Sequence, residues 1–132
     1  VVAIIGALAA VGVVAYNGYT AAAKKNAAKS IHSGAVKYVA AEMAKCVVDS
    51  TDTVLGTVAC TGMTAGAVQS AYVAISQDKN PWTATKAASS VAAVPATPEK
   101  GVLYVAVAED SSDVIIAMND GTTTISQTLT VE

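Results

Sequence analysis

Few side chains in this chain can do chemistry, and their spacing narrows what they could do. There is one histidine, His32, there are two cysteines, Cys46 and Cys60, and arginine is absent. His32 falls in a helical pattern with no second histidine and no cysteine at metal-ligand spacing, so it reads as a surface histidine. Serines are plentiful, but no Gly-x-Ser-x-Gly occurs and His32 has no marked partner for nucleophilic catalysis. Glu109, Asp110 and Asp113, with Asp120, could offer oxygens to calcium. Their run lacks the alternating spacing of a calcium loop, and Asp and Ser equally favour turns. No catalytic, cofactor or metal site is therefore expected. Cys46 and Cys60 read as free thiols in a cytosolic protein and as a disulfide in an exported one.

Composition points the same way. The charge is near balanced, at −2, which argues against nucleic acid as a specific partner because phosphate binding needs a basic face. Charged residues make up 14% of the 132, below the roughly one quarter usual in soluble domains. The length suits a single domain with a modest core. Large packing anchors are few. Trp82 lies in a loop-like stretch and reads as one of them.

The apolar residues are unevenly placed. Residues 1–23 carry no charge, and the first charges are Lys24 and Lys25. As a helix this stretch would span roughly 35 Å, enough to cross a bilayer. A secretory signal peptide fits less well, because the basic n-region and a clear cleavage site are missing. The stretch is also rich in small residues: Ala3, Gly6, Ala7, Ala9, Ala10 and Gly12. Small residues let helices approach closely, and a helix that only dissolved in lipid would not need them. Gly6 and Gly12 each weaken a helix by about 1 kcal/mol relative to Ala, which marks a weak point. Tyr16 and Tyr19 read as interfacial or packing residues. Lys24, Lys25 and Lys29 read as a solvated collar at the end of the apolar stretch.

Beyond Lys24 the period becomes amphipathic. Ala28, Ile31, Ala35, Tyr38, Val39, Met43 and Cys46 recur at helical spacing, with Lys25, Lys29, Ser33, Lys37 and Glu42 between them. The first proline is Pro81, so one helix from residue 1 to about 47 is expected. Residues 48–63 read as a connector. A short helix over Thr64 to Ser76, with Thr64 as N-cap, follows. Residues 77–100 read as a long irregular loop. Gly101 to Ala108, Val114 to Met118 and Thr122 to Val131 read as strands, the last two joined by a tight turn at Asn119-Asp120-Gly121. Along the last strand, Ile125, Leu129 and Val131 share one face, and Thr124, Ser126, Thr128 and Thr130 an exposed one. The expected fold is α+β: a long N-terminal helix packed on a three- or four-stranded antiparallel sheet, with a connecting loop and a short second helix. Residues 1–23 form an apolar segment and 24–132 a head, divided into 24–47, 48–100 and 101–132.

This order of parts resembles the type IV pilin family. The specific match is Val1 to Ala10, Val-Val-Ala-Ile-Ile-Gly-Ala-Leu-Ala-Ala, which is similar to the inner part of that family's N-terminal signature and continues less tightly through Tyr16. Beyond that, the likeness is one of architecture. The signature's opening, with its methylated Phe and its Glu, would stand before Val1. The kinking Pro of many members is absent, and Gly12 would supply any weakness. The resemblance implies a homo-oligomeric helical filament whose core is packed by Val1, Ala3, Ile4, Ile5, Gly6, Ala7, Leu8, Ala10, Val11, Gly12 and Val14. It implies a monomer held in inner-membrane lipid, an extracellular pilus after assembly, and roles in adhesion, motility or DNA uptake. Export in turn implies a Cys46–Cys60 disulfide, worth on the order of 3 kcal/mol for a loop of that size. The alternatives are a type II secretion pseudopilin, in which calcium would sit at the acidic turns, and a membrane-tethered ligand-binding domain, which would need a concave polar pocket.

Overall fold

A computed structural model describes residues 1–84, 87–91, 93–109 and 112–131, with the side chain of Val91 left aside. Asp110, one of the four candidate calcium acids, lies outside the described residues. The chain begins with one uninterrupted helix, α1 (Val2–Val48). Its Ala-rich, proline-free sequence permits that length, and Lys45 in the last turn opposes the negative end of the helix dipole. A small hairpin follows, β1 (Thr53–Val54) with β2 (Val58–Ala59), and then α2 (Ala65–Ile75). Thr64 caps α2 as expected, its Oγ1 accepting the Ala67 N–H at 3.3 Å. Four strands form the main sheet in the order β3 (Ser89–Val91), β4 (Leu103–Val107), β5 (Asp113–Asn119), β6 (Thr124–Thr130).

The fold is α+β, as the sequence predicts, with one difference in the sheet. β4, β5 and β6 are antiparallel, but β3 runs parallel to β4. β3 comes from the stretch read as irregular loop. Its short, serine-rich sequence has no alternation to betray it, so pairing rather than pattern makes it a strand. The hairpin inside the 48–63 connector carries no sequence signal for a similar reason. Its turn has Leu55 at φ 52° followed by Gly56 at φ 73°. Left-handed backbone at both centres makes a tight turn, closed by the Thr57 N–H donating to Val54 O at 3.2 Å inside a three-residue loop, but the usual signal for such centres is Asn-Gly, not Leu-Gly. A leucine there costs roughly 1–2 kcal/mol. Burial of its side chain, and a hydrogen bond from its N–H to Glu42 Oε2 at 3.0 Å, offset that cost.

Cross-strand pairing builds the core, and β4, buried on both faces from Leu103 to Ala106, lies at its centre. The inner face of the sheet carries three cross-strand rows: Leu103–Met118–Ile125, Val105–Ile116–Gln127 and Val107–Val114–Leu129. Against them pack Ala28, Ala35, Val39 and Met43 of α1, and Ala65, Val68 and Tyr72 of α2. The alanines let α1 lie close to the sheet. On the solvent side of β6, Thr124, Ser126, Thr128 and Thr130 are exposed, as their alternation predicts.

Trp82 and Asn80 fasten the long loop to the far end of the sheet. Asn80 is fully buried; its Oδ1 accepts the N–H groups of Trp82 and Thr83, and its Nδ2 donates to Lys100 O at 2.9 Å. The Trp82 ring lies against Gly101 and Gly121, both at positive φ. A Cβ on Gly101 would stand 2.6 Å from Trp82 Cε3 and would also strike Asn80. Gly101→Ala is therefore expected to cost about 2–4 kcal/mol, from left-handed strain plus overpacking. Thermal melting followed by Trp82 fluorescence measures this; an unchanged midpoint would contradict the packing described.

Candidate functional site

The largest unsatisfied feature is the first half of α1. No residue before Ala28 is buried in the single chain. Val1, Val2, Ile4, Ile5, Leu8, Val11, Val13 and Val14 are each more than three-fifths exposed. At roughly 1.5–3 kcal/mol per large aliphatic side chain, covering these eight is worth on the order of 10–20 kcal/mol. That is comparable to the whole stability of a domain, so this surface is not built for water. α1 is long and apolar enough to cross a membrane. The expected packing residues Ala3, Gly6, Ala7, Ala10 and Gly12 all lie on this uncovered part. The helix runs unbroken across Gly6 and Gly12, and a Cβ at either would meet nothing. No packing among the described residues explains those glycines.

Where α1 reaches the head, a buried carboxylate meets the lysine collar. Asp120 is 1% exposed, in the β5–β6 turn. Its Oδ1 accepts the N–H groups of Thr122 and Thr123, both at 2.9 Å. Its Oδ2 faces Lys25 Nζ at 3.8 Å and Lys29 Nζ at 3.7 Å, and Lys25 also donates to Thr122 Oγ1 at 3.1 Å. The Thr123 N–H, then the Thr122 N–H and the two ammonium groups, outweigh burial and hold the Asp120 carboxyl below the usual carboxylate range. The Asn-Asp-Gly signal located this turn, but nothing in the spacing connected residue 120 to Lys25 and Lys29. The collar is thus partly engaged by the head.

A lowered folded pKa means that the unfolded chain takes up the proton first. The stabilisation from Asp120 is fully present above the ordinary Asp pKa of about 4 and is lost as pH falls through the lower folded value. Asp120→Asn is expected to cost about 1–2 kcal/mol at neutral pH, by weakening charge-assisted hydrogen bonds. It should also flatten the loss of stability on the acid side. Melting midpoints of both proteins between neutral pH and about pH 3 test this; parallel curves would contradict it.

Two residues differ from their sequence reading. His32 is half-buried, and its Nε2 lies 3.0 Å from the Ile116 carbonyl oxygen. A carbonyl only accepts, so Nε2 carries the hydrogen and the ring ties α1 to β5. Glu42, which the helical spacing puts on the polar face of α1, is buried beneath the β1–β2 turn. Besides the Leu55 N–H it accepts from Lys45 Nζ, and Lys45 first, then Leu55, hold its carboxyl below the usual range against desolvation. Both positions fall inside a helical period that cannot distinguish a solvated polar residue from one with a specific buried partner.

Cys46 and Cys60 form a disulfide with a Cα–Cα distance of 5.3 Å, tying the end of α1 to the hairpin. Beside it, an open groove of about 550 Å³ runs between Met43, Val47, Met63 and Leu129. A second groove, about 500 Å³, separates α1 from α2 and is lined by Tyr38, Tyr72, Ser76 and Asp78. Tyr38 and Tyr72 form a tilted pair there, 6.5 Å between centroids. Compared with protein-family models, with curated proteins and with solved structures, the chain gives no match.

Proposed function

We propose that this chain is the structural subunit of a type IV pilus-like filament, which it builds by packing the first half of α1 against the same segment of other copies. The observation that carries the reading is the uncovered, charge-free helix at residues 1–23, continuous with a helix that is half-sunk in a folded head. Such a helix has two media open to it. Lipid covers it in the monomer, and a bundle of identical helices covers it after assembly. The small residues favour the second medium, because close helix approach in an apolar surrounding is their use. The disulfide accords with a head outside the reducing cytoplasm. Adhesion, motility and DNA uptake are roles such filaments serve.

The pseudopilin reading shares the helix. Asp120, one of the acids that reading would give to calcium, is here directed at two backbone N–H groups and two lysines. Electron microscopy of material sheared from expressing cells separates the two readings: long filaments support the pilus, and only short stubs favour the piston-like assembly.

In the filament, α1 is expected to stretch or open between Gly6 and Gly12. A neighbour can satisfy the freed backbone groups, and the glycines have no packing role among the described residues. A filament map with regular helical hydrogen bonding through that span would contradict this.

A further inference from the structure

The collar has a consequence for the lipid-held state, and the inference rests on that part of the proposed function. Charge is divided along the chain. Lys24, Lys25, Lys29 and Lys37 precede the first acidic residue, Glu42. The other four lysines lie among all ten acids, so residues 1–41 carry +4 from side chains and residues 42–132 carry 4 − 10 = −6. Three of the four early lysines fall within the turn and a half of helix directly after the uncovered apolar span. Asp120 is the one acid within 4 Å of them among the described residues. It faces Lys25 and Lys29 at 3.7–3.8 Å, beyond hydrogen-bond reach, so both ammonium groups keep donors to offer. Lys24 is exposed, the Lys25 side chain is 36% exposed and that of Lys29 51%. Three lysines less one carboxylate leave a net charge of +2 at this level.

We propose that Lys24, Lys25 and Lys29 bind anionic phospholipid headgroups in the leaflet from which the head projects, so that the monomer draws such lipid around itself before assembly. Two features argue for lipid as the occupant. The collar is continuous with an apolar surface that acyl chains can cover, and its positive charge is opposite to the net negative charge of a headgroup whose phosphate no choline balances. Asp120 sets the strength of the attraction, because it neutralises part of the collar from the head side. Trp82 reports on it, since its ring lies against Gly121, the neighbour of Asp120.

The test uses the full chain in neutral detergent micelles, titrated with phosphatidylglycerol or with phosphatidylcholine, reading Trp82 fluorescence and the lipids retained in native mass spectra. Phosphatidylglycerol should bind in preference, and high salt should erase the preference. Lys24→Gln, Lys25→Gln and Lys29→Gln should each reduce it up to about fivefold, equivalent to roughly 1 kcal/mol per lysine near an anionic surface. Asp120→Asn should increase it. Inorganic phosphate at matched concentration should not displace the lipid; displacement would make the collar a free-anion site and overturn the lipid assignment. Equal affinity for the two lipids, or a preference that survives in the triple lysine variant, also overturns the proposal. A chain that takes up neither lipid contradicts the membrane-held state itself.

Discussion

Replacing Ala7 by Phe is expected to abolish or severely shorten filaments while leaving the head folded. Ala3, Ala7 and Ala10 lie along one stripe of α1 at helical spacings of four and three, on a surface left exposed among the described residues. A phenylalanine there has room in the monomer, so the head's core should not notice it. Between packed helices the same ring meets a backbone that small residues had allowed to come close. Overpacking costs about 1–3 kcal/mol at each site, and a filament repeats that cost in every subunit. The comparison is Thr128→Ala, on the exposed face of β6, which should assemble normally. Sheared-fibre yield reads assembly, and the Trp82 melting curve of the detergent-held chain reads the head. Normal fibres from Ala7→Phe would reduce the first half of α1 to a membrane anchor.

Loss of the Cys46–Cys60 disulfide should destabilise the head strongly. The bond closes a loop of sequence separation 14, for which chain entropy gives about 3 kcal/mol. For a head of this size, that lowers the melting midpoint by roughly 10–20 °C. Besides restricting the unfolded chain, the bond holds the hairpin that presents the Leu55 N–H to Glu42 and buries Val54 and Leu55. The double variant Cys46→Ala, Cys60→Ala should melt earlier in the head while the apolar segment keeps its helicity in detergent. Mass measurement after alkylation, with and without reductant, establishes the bond in the native protein; alkylation of both thiols without reductant would contradict it.

Legibility in the sequence followed the strength of each periodic signal. α1, α2 with its Thr64 cap, and strands β4 to β6 were readable, because apolar spacing, a capping hydroxyl and alternation are each local. β3 was not, since its three residues become a strand only by pairing with β4 across the loop that Asn80 and Trp82 fasten. The β1–β2 hairpin hid behind a leucine in a left-handed position. Of the candidate site, the apolar half of α1 and its small residues were plain. The meeting of Asp120 with Lys25 and Lys29 was not, because residues some ninety positions apart are joined only by laying the sheet on the helix.

The central claim is that subunits hold one another chiefly through residues 1–23. A helical reconstruction of the filament by electron cryomicroscopy tests it most directly. The account predicts a core of close-packed helices in which Ala3, Ala7 and Ala10 face neighbouring backbones, with head-to-head contacts secondary. A fibre held together by head contacts, with residues 1–23 left at its periphery, would contradict it.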